Sequence, residues 1–573
     1  MKKGIILCLS AIAVAAVAAF AVITIYDAGL FSGSNKDKIE ARTALNELVV
    51  GYINIDQLVT KGALDDYFNE SNRKMAATAI TSEIEDKAIA DHITAIFKDP
   101  NASGINFKKP VYFYVEETGN VIFVLEVKDV AKVDKTFELL SQLAEEQGGE
   151  SLDIERDGNN RIIDTDEEAI IGYNKSRFIV VVSEDEYMVE DALYNVLKKP
   201  LADLSIFGKS DIAGYVNYEK MMALVRPMIE EERDQYLEYI EEEPYYADYY
   251  QDELDQMNYI LAQFDETKKY MSKNANAVVS LTFDPGRATF KTEVNGIDAS
   301  LYGDLIKRPN NAHLKYISAD APFVMNAALN GKKLVEVLDT VLESDIFANS
   351  ELNTNEFNMV MAIARDALKS IDGDITIAVE DLEGRYDSYY DDWYEEWRGE
   401  PVFDSASAAI MIDVNDDYII SNLGQYAGTI LSRKDSTHFS GNLEGFDVTL
   451  GQDDGVLHAG INAPYTTKAK SATDTDWFKD VKGAMSFIVL DIEKFLECSL
   501  IDAGYQDIIN NMDSQEIGLF NTCIKACDYA YISAKDMTTS EIVLVLDDKK
   551  TNSLKQVTDL FMPMLMQEVM LNM

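Results

Sequence analysis

Histidine, cysteine, tryptophan and proline are scarce in these 573 residues, at 4, 4, 3 and 11. The four histidines, His92, His313, His438 and His458, include no pair at metal-ligand spacing, so each reads as a surface or hairpin residue rather than a base or ligand. Cys8 sits in an apolar N-terminal run, which leaves Cys498, Cys523 and Cys527 in the body without a C-x-x-C pair. These thiols read as buried or half-buried. A helix across 523–527 would set two of them one turn apart, and a disulfide from Cys498 requires an oxidising compartment. The chain has neither a G-x-x-x-x-G-K-[ST] loop nor a G-x-G-x-x-G turn between strand and helix. It also lacks a G-x-S-x-G elbow and an H-E-x-x-H helix. Carboxylates are so abundant that no acid pair stands out for general acid–base work. The chain therefore reads as non-enzymatic, with no cofactor and no metal centre.

Positive charge is also short: 51 Lys and Arg against 100 Asp and Glu give a net charge of −49. Such a surface repels phosphate backbones and anionic head groups, which excludes nucleic acid as a partner. Basic partners, divalent cations and plain solubility remain open. A hydrophobic share of 47% with 10% aromatics is that of a folded chain, and 573 residues exceed what one core sustains, implying two or more domains.

At the N-terminus, Lys2 and Lys3 precede an uncharged, mostly apolar run over 4–26. Ala19-Phe20-Ala21 would serve as a signal-peptidase site, while the run is long enough to cross a bilayer core of about 30 Å as an uncleaved anchor. Either way the body is delivered outward, to face the periplasm from the inner membrane or to reach the periplasm or outer membrane after cleavage. Lipidation at Cys8 fits poorly, because Leu7 is not the small residue that normally precedes such a cysteine. Residues 27–39, with Gly29, Ser32, Gly33 and Ser34, read as a tether.

The body is organised around a phrase in which a strand stops at Asn or Asp and a helix begins. It occurs as Val50-Gly51-Tyr52-Ile53-Asn54 and again as Ala213-Gly214-Tyr215-Val216-Asn217, with fainter copies ending at Asn330 and Asp491. The polar residue is the expected N-cap. Asn54 and Asn217 are 163 residues apart, and Asn330 and Asp491 are 161 apart. Strands expected at 110–116 and 120–128 have counterparts at 375–380 and just before Asn415, and the strand at 278–283 is matched with 542–546. Between them the patterns predict helices over 56–67, 73–97 and 187–197, and one on which Val130, Val133, Phe137, Leu140 and Leu143 share a face. The fold class is α+β: two tandem similar units, each a mainly antiparallel sheet with helices packed on it, behind an N-terminal membrane segment. The units are placed at 40–296 and 318–573, joined by a linker at 297–317.

Aligning the two units exposes an insertion. A three-residue turn at 117–119 in the first corresponds to about twenty further residues, 382–401, in the second, dense in acids and aromatics. Tyr389, Tyr390, Trp393, Tyr394 and Trp397 are the candidate binding residues, since exposed rings beside carboxylates suit a cationic partner, a basic peptide or a stacked sugar. A second acidic, tyrosine-rich stretch runs over 230–259, broken at Pro244 and followed by a helical stripe of Leu254, Met257, Leu261 and Phe264. Asp153, Glu155, Asp157, Gly158 and Asp164 approach a calcium-loop spacing, but Asn160 stands where an apolar residue is needed, so Asp157-Gly158 reads as a hairpin turn.

Gly51-Tyr52-Ile53-Asn54, Gly104-Ile105-Asn106, Pro110-Val111-Tyr112-Phe113-Tyr114, Leu125-Glu126-Val127-Lys128-Asp129 and Asp372-Gly373-Asp374-Ile375 together resemble domain-of-unknown-function 4836, a family of Bacteroidota cell-envelope proteins. The resemblance implies a compartment and a shape and brings no activity. The expected role is a scaffold or interaction protein of the cell envelope, with the membrane engaged through the N-terminal segment. The alternative is a binding module for glycan, basic peptide or divalent cation that uses the insert.

Overall fold

The computed structural model describes residues 48–82, 84–115, 120–146, 151–167, 169–182, 186–198, 204–297, 305–342, 365–391, 396–443, 445–510 and 514–572. The N-terminal segment and tether expected over 1–39 lie outside them. Among the described residues no helix is long and apolar enough to cross a membrane. The fold is α+β and built on antiparallel pairing.

Two compact units are present, and each is discontinuous. One takes the described residues of 41–224, 274–291 and 548–573; the other takes those of 225–273 and 292–547. Along the chain the segments of the two units alternate. The C-terminal helix Ser553–Asn572 explains one crossing: it packs on helices Ile55–Lys61 and Leu64–Tyr67. There Tyr67 Oη donates to Asp559 at 2.8 Å.

In the first unit the strand Val49–Ile53 lies between Val111–Val115 and Ile212–Asn217. Outward on one side come Val121–Glu126, Arg177–Val182, Ala169–Tyr173, Asn160–Glu167 and Ile154–Asp157. On the other side Met271–Asp284 pairs with Ile212–Asn217 and then with Arg287–Ile297. In the second unit Phe323–Asn330 takes the central place, between Ile371–Asp391 and Ser486–Asp491. Glu396–Val414, Val456–Ile461, Phe446–Asp453, Phe439–Leu443 and Ser432–Arg433 extend one side, and Cys527–Ala534 and Thr539–Leu546 the other. The succession of pairings is the same in both units.

The repeated phrase is thereby explained. Its two copies in each unit are neighbouring antiparallel strands, with Gly51 opposite Gly214 and Phe323 opposite Leu490. All four caps form: Asn54, Asn217, Asn330 and Asp491 accept from the N–H groups of Gln57, Lys220, Lys333 and Lys494 at 3.1–3.2 Å. Gly51 leaves room for the Phe113 ring of the paired strand, since a Cβ there would lie 1.8 Å from it. Alternate residues face inward as the pleat requires. Val50, Tyr114, Ile122, Ile179, Val181 and Tyr215 centre one core, and Val324, Met411, Trp477, Val489, Tyr531 and Val543 the other. Each fully buried aliphatic side chain contributes roughly 1.5–3 kcal/mol.

Several expectations shift. The helix expected over 73–97 is two, Glu70–Thr81 and Lys87–Lys98; the second starts afresh because Asp86 caps it, accepting from Ala88 and Ile89 N–H. In helix Val130–Glu146 it is Leu139 that is buried and Leu140 that is exposed. The pairing also shows that the strand containing 278–283 corresponds to Cys527–Ala534, not to 542–546, whose equivalent is Arg287–Ile297. Asp157-Gly158 does form a hairpin turn, with Asp157 opposite Asn160 and Gly158 at φ 59°. Among the described residues Cys498, Cys523 and Cys527 form no disulfide, and burial pushes Cys527 up to about 11.

Candidate functional site

The insert continues two strands of the sheet as a ribbon. Ile371–Asp391 stays paired with Glu396–Val414 from Gly384 opposite Phe403 to Asp391 opposite Glu396. Helix Ser499–Asn510 packs on its base, where Ser499 Oγ accepts from Gly384 N–H at 2.9 Å and Leu500 meets Gly384. Further out the Tyr386 ring covers Gly399, whose Cβ would lie 2.2 Å from it, and Arg385 bridges Asp387 and Asp404. Of the nominated residues, Tyr389 is in the ribbon and exposed. Tyr390 and Trp397 are also in its strands, but their side chains are outside the described set, as are Trp393 and Tyr394 entirely.

The second acidic stretch is a helical hairpin: Tyr218–Glu242, a turn at Pro244–Tyr246, then Ala247–Tyr270. Leu254 and Leu261 of the expected stripe are buried. At the tip, Tyr236, Tyr239, Tyr245, Tyr246, Tyr249 and Tyr250 form one chain of ring contacts with centroids 5.1–6.4 Å apart. Tyr245, Tyr249 and Tyr246 are 90%, 65% and 54% exposed, well beyond what packing the hairpin requires. Over 230–259, twelve Asp and Glu accompany the single Arg233. Desolvation among neighbouring rings, followed by Glu243, raises the Tyr250 phenol above its ordinary range.

A third place was hidden in the sequence. Phe446–Asp453 and Val456–Ile461 form a hairpin closed by Asp454-Gly455, with Gly451 opposite His458. On the other side Phe439 faces Leu450, so His438, one residue on, comes level with Gly451. The row His438–Gly451–His458 thus crosses two strands and the residue that leads into a third, and Asp453 points to the same face two residues along from Gly451. Because Gly451 has no side chain, both imidazoles lean over it: a Cβ there would lie 2.6 Å from each ring. Their Nε2 atoms meet the two oxygens of Asp453, His438 at 3.2 Å and His458 at 3.1 Å.

Each of these groups is held from behind. Asp435 sits 2.9 and 3.1 Å from His438 Nδ1 and is itself held by Thr437 N–H at 2.8 Å. His458 is buried and stacks on Tyr465 at 4.0 Å, and Tyr465 packs on Tyr316 at 4.2 Å. The Thr437 N–H, then His438, pull the Asp435 carboxyl down to about 2, and Asp435 in turn raises His438. Burial lowers His458 despite Asp453. Burial would raise Asp453, but the two imidazoles outweigh it and hold it low. The sequence did contain a signal: Asp-Gly at 454–455 sets the hairpin register, which brings His458 level with Gly451.

His313 differs. It is fully buried with both ring nitrogens engaged, Nε2 with Asp413 at 2.9 Å and Nδ1 with Thr376 at 3.1 Å, and Thr376 donates to Asn326. Asp374 accepts from the N–H groups of Asn310 and Asn311, and its own N–H reaches Asp413. Every member has a partner, which is the arrangement of a polar cross-brace.

No curated protein and no solved structure matches the chain. The model of the family described as Domain of unknown function (DUF4836) matches residues 44–222 and 252–554. The ribbon and the His–Asp row fall inside the matched residues, and the tyrosine tip falls between them. The match covers most of the chain, which therefore belongs to the DUF4836 family.

Proposed function

We propose that this chain is a non-enzymatic cell-envelope protein, a periplasm-facing scaffold that engages a basic protein partner through the tyrosine tip of its helical hairpin. The observation that carries the reading is the connected set of rings among carboxylates at 236–250, of which Tyr239, Tyr245, Tyr246 and Tyr249 are exposed. Tyrosine supplies large contact area at small entropic loss, and carboxylates around it favour Lys and Arg on the partner. The envelope location rests on the charged-then-apolar pattern over 2–26. The same order of strand pairings in both units supports an origin by tandem duplication.

The test is a triple variant, Tyr245→Ser with Tyr246→Ser and Tyr249→Ser. These side chains are exposed, so the fold should persist. Binding to an array of Lys/Arg-rich peptides, and recovery of a defined partner from envelope extract, should fall at least tenfold. Unchanged binding by the triple variant would reject the tip.

A second reading is favoured by the ribbon, which carries Tyr389 exposed beyond the sheet: glycan or basic-peptide binding through 385–402. Deleting that span at a rung pair should leave a folded protein, and a glycan array would then show loss of signal. Loss of folding would instead make the ribbon structural.

A further inference from the structure

We propose that His438, Asp453 and His458 form a binding site for a transition-metal dication of the zinc class. Their donor atoms all lie within 4.8 Å of one another. The two Nε2 atoms stand 3.2 and 3.1 Å from separate oxygens of Asp453, separations that an ion with bonds of about 2.0–2.1 Å can span. Two imidazoles and one carboxylate suit zinc or its neighbours, whereas calcium and magnesium prefer all-oxygen shells.

Three further features support the site. Gly451 is the notch over which the rings converge, and any side chain there would push them apart. Asp435 engages Nδ1 of His438, the carboxylate–histidine arrangement that orients metal ligands; with the proton on Nδ1, a cation beside Asp453 would take the place of the Nε2 proton. The stacked Tyr465 fixes the plane of His458. Asp453 is half exposed, which leaves room for water or an outside ligand to complete the coordination. None of this depends on the tyrosine tip.

The competing account is a purely hydrogen-bonded His–Asp–His cluster, and zinc alone distinguishes the two. Calorimetric titration of the purified chain with zinc chloride should show one saturable site of micromolar affinity or better. Calcium chloride in the same buffer measures diffuse attraction to the acidic surface. His438→Ala, at a partly buried position just before the strand Phe439–Leu443, should lower zinc affinity at least about tenfold, and Asp435→Asn, a positioning change, by about 10–100-fold. His458→Ala should abolish the site, with circular dichroism as the folding control. X-ray absorption of the zinc-loaded chain should report two imidazoles and at least one oxygen. Absence of a saturable site, or a site unchanged in His438→Ala, would overturn the proposal.

Discussion

The row Ile162–Gly172–Ile179 in the first sheet occupies the same place as His438–Gly451–His458 in the second. Each spans equivalent strands, the second sheet's row ending at the residue that leads into its third, with the middle residue level with both outer ones and the hairpin closing two residues farther on. In the first sheet helix Glu186–Lys198 covers the row and Leu193 fills the notch over Gly172, where a Cβ would lie 2.5 Å from it. In the second sheet the imidazoles fill the notch themselves, backed by Tyr465 and by Asp435. One backbone thus supports a dry core in one unit and a polar cluster in the other. The segment that leaves the second hairpin strand decides between them: it is a helix over 186–198 in the first unit and an irregular stretch at 462–471 in the second.

Placing polarity in the covered row should break the comparison most sharply. Ile179→His would bury an unpartnered imidazole beneath Leu193 and cost about 3 kcal/mol or more. A lower denaturant midpoint would register this, and an unchanged one would mean that the row is not sealed. Gly172→Ala comes next, at about 1–3 kcal/mol, because Leu193 and its helix must move. Gly451→Ala should cost less than Gly172→Ala, yet weaken zinc binding by displacing both rings. Equal stability losses at the two glycines would deny the contrast. Asn54→Ala, Asn217→Ala and Asn330→Ala test the sameness of the units, each losing about 1 kcal/mol by thermal melting. His438→Ile, importing the first sheet's residue type, removes the pairings with Asp435 and Asp453 and should cost about 0.2–1 kcal/mol.

Local rules were legible wherever the information lay within a few residues. Asn54, Asn217, Asn330 and Asp491 read as caps because a cap needs only its own first turn. Asp157-Gly158 read as a hairpin because turn chemistry is local. The helix expected over 73–97 failed at Asp86, where a capping side chain outweighed apolar spacing. Leu139 rather than Leu140 turned inward, since near-adjacent apolar residues leave the facing direction to the neighbouring element. The matching of 278–283 with 542–546 failed because similar β-rich runs carry no record of which edge they join.

The candidate site shows the same limit more strongly. The insert at 382–401 was found by comparing two spacings, and it is a continuation of the sheet's own pairing. The tyrosine stretch was visible as composition, but its exposure depends on which helical face Leu254 and Leu261 bury. The His–Asp row could not be found by ligand spacing, because His438 and His458 are twenty residues apart.

By itself, then, the sequence determined the α+β class, the repeated strand–cap–helix phrase and the strongly acidic character of the chain. Those stem from periodicity, capping and charge, which act over a few residues or sum over the whole chain. Only the tertiary structure decided that the two phrases in each unit pair with one another, that the units interleave, and that two distant imidazoles share one carboxylate over a glycine. Strand register sets those meetings, and register is fixed jointly by turns, side-chain packing and the helix or loop that covers each face.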